Sequence, residues 1–138
     1  MSASDGTPIV LSVCVSCQTV GEAGSGEAGS ARPGERLLAR LRDDVLGDGS
    51  LTIRPVQCLS VCKRPCTVAL SSPGRYTYLF GDLDPETGAD ALLTCVASYR
   101  QQEHGYLLWR ERPEPLRRGI LARVPPVGWD GEDGRHPR

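Results

Sequence analysis

Aromatic side chains, lysine and long apolar stretches are all scarce in this sequence. One Phe, two Trp and four Tyr are all the aromatic residues among 138, and Met occurs once. Aromatic rings usually supply much of a core's buried area, so their shortage excludes a large, ring-packed globule. Gly and Pro are plentiful by contrast, at 16 and 11, and they point to a compact core carrying flexible segments. A typical apolar stretch is Ile9-Val10-Leu11, extending past Ser12 to Val13, and none comes near the roughly 20 residues that cross a bilayer. No membrane partner is expected. Residues 1–7, MSASDGT, contain neither a basic region nor a signal-like apolar stretch, so the expected location is cytoplasmic. Net charge is -1 and Lys63 is the only lysine, so nothing drives the whole chain onto nucleic acid.

What the sequence does have is cysteine: Cys14, Cys17, Cys58, Cys62, Cys66 and Cys95. In a reducing compartment, clustered thiols read as metal ligands or redox catalysts rather than structural disulfides. The function therefore turns on where the fold delivers them.

Residues 8–13 predict a short, nearly continuous apolar strand of the kind covered on both faces. Gly21-Glu22-Ala23-Gly24-Ser25 is repeated letter for letter at 26–30, the mark of a flexible inserted loop. Pro33 opens a helix whose Leu37, Leu38, Leu41 and Val45 share one face, and Gly47-Asp48-Gly49 ends it. Leu51–Val56 alternates as a strand, with Pro55 restricting its pairing to one end or to an edge. Residues 67–71 and 76–80 read as a β-hairpin around Ser72-Pro73-Gly74. A second helix is expected from Asp84-Pro85-Glu86, with Ala89, Leu92, Leu93, Val96 and Tyr99 buried and Gly105 as its stop. Beyond it, Leu107, Trp109, Leu116 and Ile120 should pack an arm against the domain. The fold class is thus α/β, a thioredoxin-like β-α-β-β-β-α core with a four-stranded mixed sheet and a C-terminal arm. The domain spans 8–105, with 18–32 as a flexible Gly-rich insertion, and the arm and tail span 106–138.

A right-handed β-α-β unit makes its two strands parallel, so both end at one edge of the sheet. Cys14 and Cys17 follow the first strand, and Cys58 and Cys62 follow the second. Four thiolates brought together need a cation, and soft sulfur donors select zinc, copper(I) or iron–sulfur.

The segment Gln57-Cys58-Leu59-Ser60-Val61-Cys62-Lys63-Arg64-Pro65-Cys66-Thr67-Val68-Ala69-Leu70 resembles the second ligand loop of thioredoxin-like [2Fe–2S] ferredoxins. There a Cys-x3-Cys pair follows strand two and a turn ending in Pro leads to the next strand. Residues 8–125 also resemble a family of small bacterial predicted metal-binding proteins, sometimes associated with cobalamin-biosynthesis genes. Its features here include Trp109-Arg110-Glu111-Arg112-Pro113 and Ala122-Arg123-Val124-Pro125-Pro126. The resemblance implies a thioredoxin-like fold and a cysteine-bound centre. Cys14 and Cys17 would be the first ligand pair and Cys58 and Cys62 the second. The expected partner is a redox partner protein or a metal-handling enzyme, with a homodimer as an open alternative. Cys14 and Cys17 lie closer together than the ferredoxins' first two ligands, and a Cys-x2-Cys pair suits zinc equally well.

The expectation is therefore a [2Fe–2S] electron carrier or accessory protein rather than an enzyme. A zinc- or cobalt-binding structural or metal-handling protein is the runner-up. A thiol–disulfide oxidoreductase using Cys14 and Cys17 is the third reading, weakened because such a thiol belongs at a helix N-terminus and the next helix begins some 15 residues after Cys17. Cys66 is expected as a packed thiol or a substitute ligand, and Cys95 as a core residue. Lys63 and Arg64 would offset the charge of a tetrathiolate centre. His104 and His136 have no expected role, and the arginines of the arm, interleaved with Glu111 and Glu114, read as a solvated surface. No phosphate loop or nucleophile–base pair is present.

Overall fold

The computed structural model describes residues 8–15, 33–44, 51–60, 66–85 and 87–127. The duplicated loop, Cys17, Cys62, Lys63, Arg64 and the tail beyond 127 lie outside the described residues. Within them the order is β1 (Ile9–Cys14), α1 (Pro33–Asp44), β2 (Leu51–Val56), β3 (Val68–Ser71), β4 (Thr77–Phe80), α2 (Gly88–Gln101), α3 (Glu114–Arg118) and β5 (Ile120–Val124). A single 3₁₀ turn at Trp109–Glu111 precedes α3. No helix among the described residues is long and apolar enough to cross a membrane.

The five strands form one mixed sheet in the order β2-β1-β3-β4-β5. β1 runs parallel to β2 and antiparallel to β3, and β4 is antiparallel to both β3 and β5. β1 is therefore interior, which is why Ile9, Leu11, Val13 and Cys14 are fully buried and its sequence scarcely alternates. Even Ser12 is buried on its other face, where it accepts a 2.7 Å hydrogen bond from Arg54 Nε. β2 lies at an edge, the position in which Pro55 does least harm to the ladder.

The core joins Leu11, Val13, Leu37, Leu41, Leu70, Phe80, Leu92 and Val96. At the helix-to-sheet interface the Tyr99 hydroxyl donates to the Tyr76 carbonyl. Arg75 is buried as well, and its guanidinium donates to Ser72 Oγ and to the carbonyls of Arg100 and Gln102. It thereby ties the end of α2 to the hairpin. Gly105 has φ +69°, and a Cβ there would come within 2.6 Å of the Tyr99 ring. The helix itself stops earlier than expected, at Gln101 with Gln102 as its cap. Gly105 serves the turn that follows, where its N–H donates to the Gln102 carbonyl at 3.2 Å and its left-handed backbone beside Tyr99 suits only glycine.

Three further expectations are corrected. The sheet has five strands rather than four. Ile120–Val124 pairs with β4 and satisfies backbone groups that would otherwise form an open edge. α2 begins at Gly88, not near Asp84, because Asp84 closes a turn in front of it: its Oδ1 accepts the Thr87 N–H at 3.1 Å and its carbonyl the Gly88 N–H at 2.7 Å. Trp109 does not pack the arm onto the core. Leu107 and Leu116 do so, both buried, while Trp109 is 64% exposed.

Candidate metal centre

The parallel pairing of β1 and β2 sets Cys14 opposite Val56, and Cys58 lies two residues beyond. β3 runs the other way and starts at this same end of the sheet. The Cys14 N–H donates to the Thr67 carbonyl and the Val15 N–H to the Val56 carbonyl, each at 3.0 Å. Cys66 immediately precedes Thr67. Cys58, Cys14 and Cys66 therefore follow the strand order β2, β1, β3 along one end of the sheet. The register thus places Cys14 and Cys58 at the same end of the parallel pair. Cys17 and Cys62 follow the same two strands but lie outside the described residues.

The cysteines differ sharply in surroundings. Cys14 is fully buried, and its Sγ lies 4.0 Å from the Gln57 carbonyl oxygen. Cys58 is exposed, and its Sγ accepts the Ser60 N–H at 3.2 Å. Ser60 takes φ +63° to present that amide, an uncommon conformation for a side chain of this type. Amide hydrogen bonds to sulfur stabilise negative charge on it and tune a bound metal. Cys66 is fully buried in the core, and its carbonyl accepts the Leu83 N–H at 3.4 Å. This is the packed thiol the sequence suggested.

The start of α1 presses against the same place. A Cβ on Gly34 would collide with the Cys14 carbonyl oxygen and lie 2.9 Å from its carbon. Pro33 opens this helix at a position where its missing N–H is no loss. The long sequence separation between Cys14 and Gly34 thus hides a close approach in space. The positive end of the α1 dipole faces the Cys14 carbonyl and favours negative charge there. It does not make Cys14 a thioredoxin-type nucleophile, since that chemistry needs an accessible thiolate and Cys14 is buried.

The remaining candidates stand apart. Cys95 lies on α2, where burial pushes its thiol up to about 12 despite the opposing Arg112 charge. His104 sits at the opposite end of the sheet, where its carbonyl accepts the Tyr76 N–H at 2.7 Å. Sequence reasoning also missed a cavity of about 280 Å³ lined by Asp82, Asp84, Thr87, Pro115, Arg118 and Gly119. It lies at the cysteine end because β4 finishes and β5 begins there. No local pattern reports it, since it depends on the return of α3. Among the described residues no group of three or more His, Cys, Asp or Glu is placed to hold a metal ion. Two of the four candidate ligands lie outside that set.

The donors present suit a soft metal: two thiols at one end of the sheet, one of them already accepting a backbone amide. The comparisons agree in fold. A family described as "Protein of unknown function (DUF1636)" matches residues 11–126. No curated protein matches the chain. Among solved structures, a thioredoxin-like [2Fe–2S] ferredoxin from Aquifex aeolicus superposes with a TM-score of 0.55 at 14% identity, covering 90% of this chain and 99% of that one. That likeness establishes a thioredoxin-like fold.

Proposed function

The chain belongs to the DUF1636 family, and from that premise we propose that it is a cysteine-ligated metal protein holding a [2Fe–2S] cluster as an electron carrier or accessory protein. Cys14 and Cys17 would hold one iron, and Cys58 and Cys62 the other. Such a cluster supplies reversible one-electron transfer, a reaction the protein's own side chains do not perform.

The observation that carries the reading is the alignment of Cys14 and Cys58 at one end of parallel strands, with an amide already donated to Cys58 Sγ. The chain's residues act on that site in three ways. Ser60 lowers the cost of negative charge on sulfur. The start of α1 adds a favourable dipole beside Cys14. The core behind Cys14 excludes water on one side, while exposed Cys58 leaves the other open to a partner. The Aquifex ferredoxin supports the reading by fold. The Cys-x2-Cys spacing of Cys14 and Cys17 keeps zinc as the second reading.

Cysteine variants test the ligand set. Cys58→Ser is the cleanest, because an exposed side chain can change without opening the core. It is expected to lose at least half of the bound metal while the far-ultraviolet circular dichroism is kept. Cys95→Ser should retain all of it. Full metal content in Cys58→Ser, or equal loss in Cys95→Ser, would overturn the assignment.

A further inference from the structure

The arm from Tyr106 to Val127 carries Arg110, Arg112, Arg117, Arg118 and Arg123 against only Glu111 and Glu114, in a chain whose net charge is -1. Its surface holds the most exposed large aromatic ring among the described residues, Trp109. The Arg117 guanidinium lies 4.6 Å from the centre of that ring. Its Nε donates to the Trp109 carbonyl at 3.1 Å and its Nη2 to the Arg110 carbonyl at 3.2 Å. A solvated arginine ordinarily samples many rotamers. This one is fixed by two backbone carbonyls and an indole.

No carboxylate among the described residues pairs with Arg117. The acid nearest in sequence with a described side chain, Glu114, reaches Arg118 instead, at 3.8 Å. A guanidinium has five N–H groups, so the stack leaves the Nη1 edge free to donate. A cation held in place before its partner arrives loses little freedom on binding. Its planar fork matches a carboxylate better than any other common protein group, and Trp and Arg are the residues that most often dominate binding energy at interfaces.

We propose that Trp109 and Arg117 form a preorganised docking platform for a carboxylate-rich protein surface, with Arg110 steering the approach. Nucleic acid fits less well. One face of the indole is already covered by Arg117, and Glu111 and Glu114 interrupt any phosphate-tracking stripe. The platform leads through α3 to Ile120, which pairs with Phe80; Phe80 pairs with Val68, and Val68 with Val13. It therefore joins the sheet level with the Cys14 end, about 14 Å across at three strand spacings. The proposal does not depend on which metal the cysteines hold.

The test uses the full chain and a fluorescein-labelled octaglutamate peptide, with binding read by anisotropy at low ionic strength. Saturable binding that weakens as salt shortens the screening length is expected. Arg117→Gln and Trp109→Ala should each weaken it about tenfold. Arg117→Lys should weaken it nearly as much, because it keeps the charge but loses the fork and the stack. Arg42→Gln, an exposed arginine on α1, removes the same charge and should leave affinity unchanged. These side chains are exposed or half-buried, and unchanged circular dichroism would verify that each variant folds. The proposal is overturned if octaglutamate does not bind, or if Arg117→Gln binds like the parent. It is equally overturned if Arg42→Gln loses as much as Arg117→Gln, or if a single-stranded oligonucleotide or anionic vesicles engage Trp109 and Arg117 more tightly than octaglutamate does.

Discussion

At Gly34 the absence of one methyl group decides how closely the first helix approaches Cys14. The neighbour a Cβ would strike is backbone, the carbonyl of Cys14, and no side chain can rotate away to relieve it. Gly34→Ala should therefore cost about 1–3 kcal/mol. It should lower the urea midpoint with little change in slope; an unchanged midpoint would mean that the helix does not press on Cys14. Ser60 and Cys58 show the same economy, since one left-handed residue supplies the amide that meets sulfur. Two buried arginines make a contrast. Arg75 is satisfied by three acceptors. Arg112 is only 4% exposed, and its Nε and Nη1 have no hydrogen-bond partner among the described residues.

Among the elements, α2 couples packing to pH. Its inward face carries Cys95 and Tyr99, and burial raises the pKa of both. A raised acid keeps its proton in the folded state while the unfolded chain loses it. The folded state then binds more protons, and stability falls as pH rises. For Cys95 that window runs from the ordinary 9.0 to about 12, with a slope of at most about 1.4 kcal/mol per pH unit for one group. Urea melts should show constant stability up to about pH 9 and a decline above it, shallower in Cys95→Ala. A flat profile would place Cys95 near the surface. The elements themselves were largely legible. Apolar β1, the Leu37–Leu41 face of α1 and the hairpin at Ser72-Pro73-Gly74 follow from period and turn chemistry. β5 was not legible, because Ile120–Val124 lacks a clean alternation and becomes a strand only by covering the edge of β4. Trp109 misled because a large ring reads as core until its surroundings are known.

For the whole molecule, topology does what no short motif could. One parallel pair of strands ends in Cys14 and, two residues past its partner, Cys58, and the reversal into β3 adds Cys66 to the same end. The sequence could show the parallel pair, since a β-α-β unit has a fixed hand. It could not show that α1 returns to touch Cys14, because the intervening loop has no periodicity from which to read a path. Nor could it show the cavity between Asp82, Asp84 and Arg118, which needs the distant α3. The spacing of the four ligand candidates admits both iron–sulfur and zinc, and one measurement separates them: an anaerobic visible absorption spectrum of untagged protein, with iron, sulfide and zinc determined on the same sample. The account predicts a brown protein with about two iron and two sulfide per chain, bleached reversibly by one electron. A colourless protein with about one zinc would contradict the cluster and leave a closed thiolate site. A colourless, metal-free protein with every thiol titratable would contradict metal binding altogether.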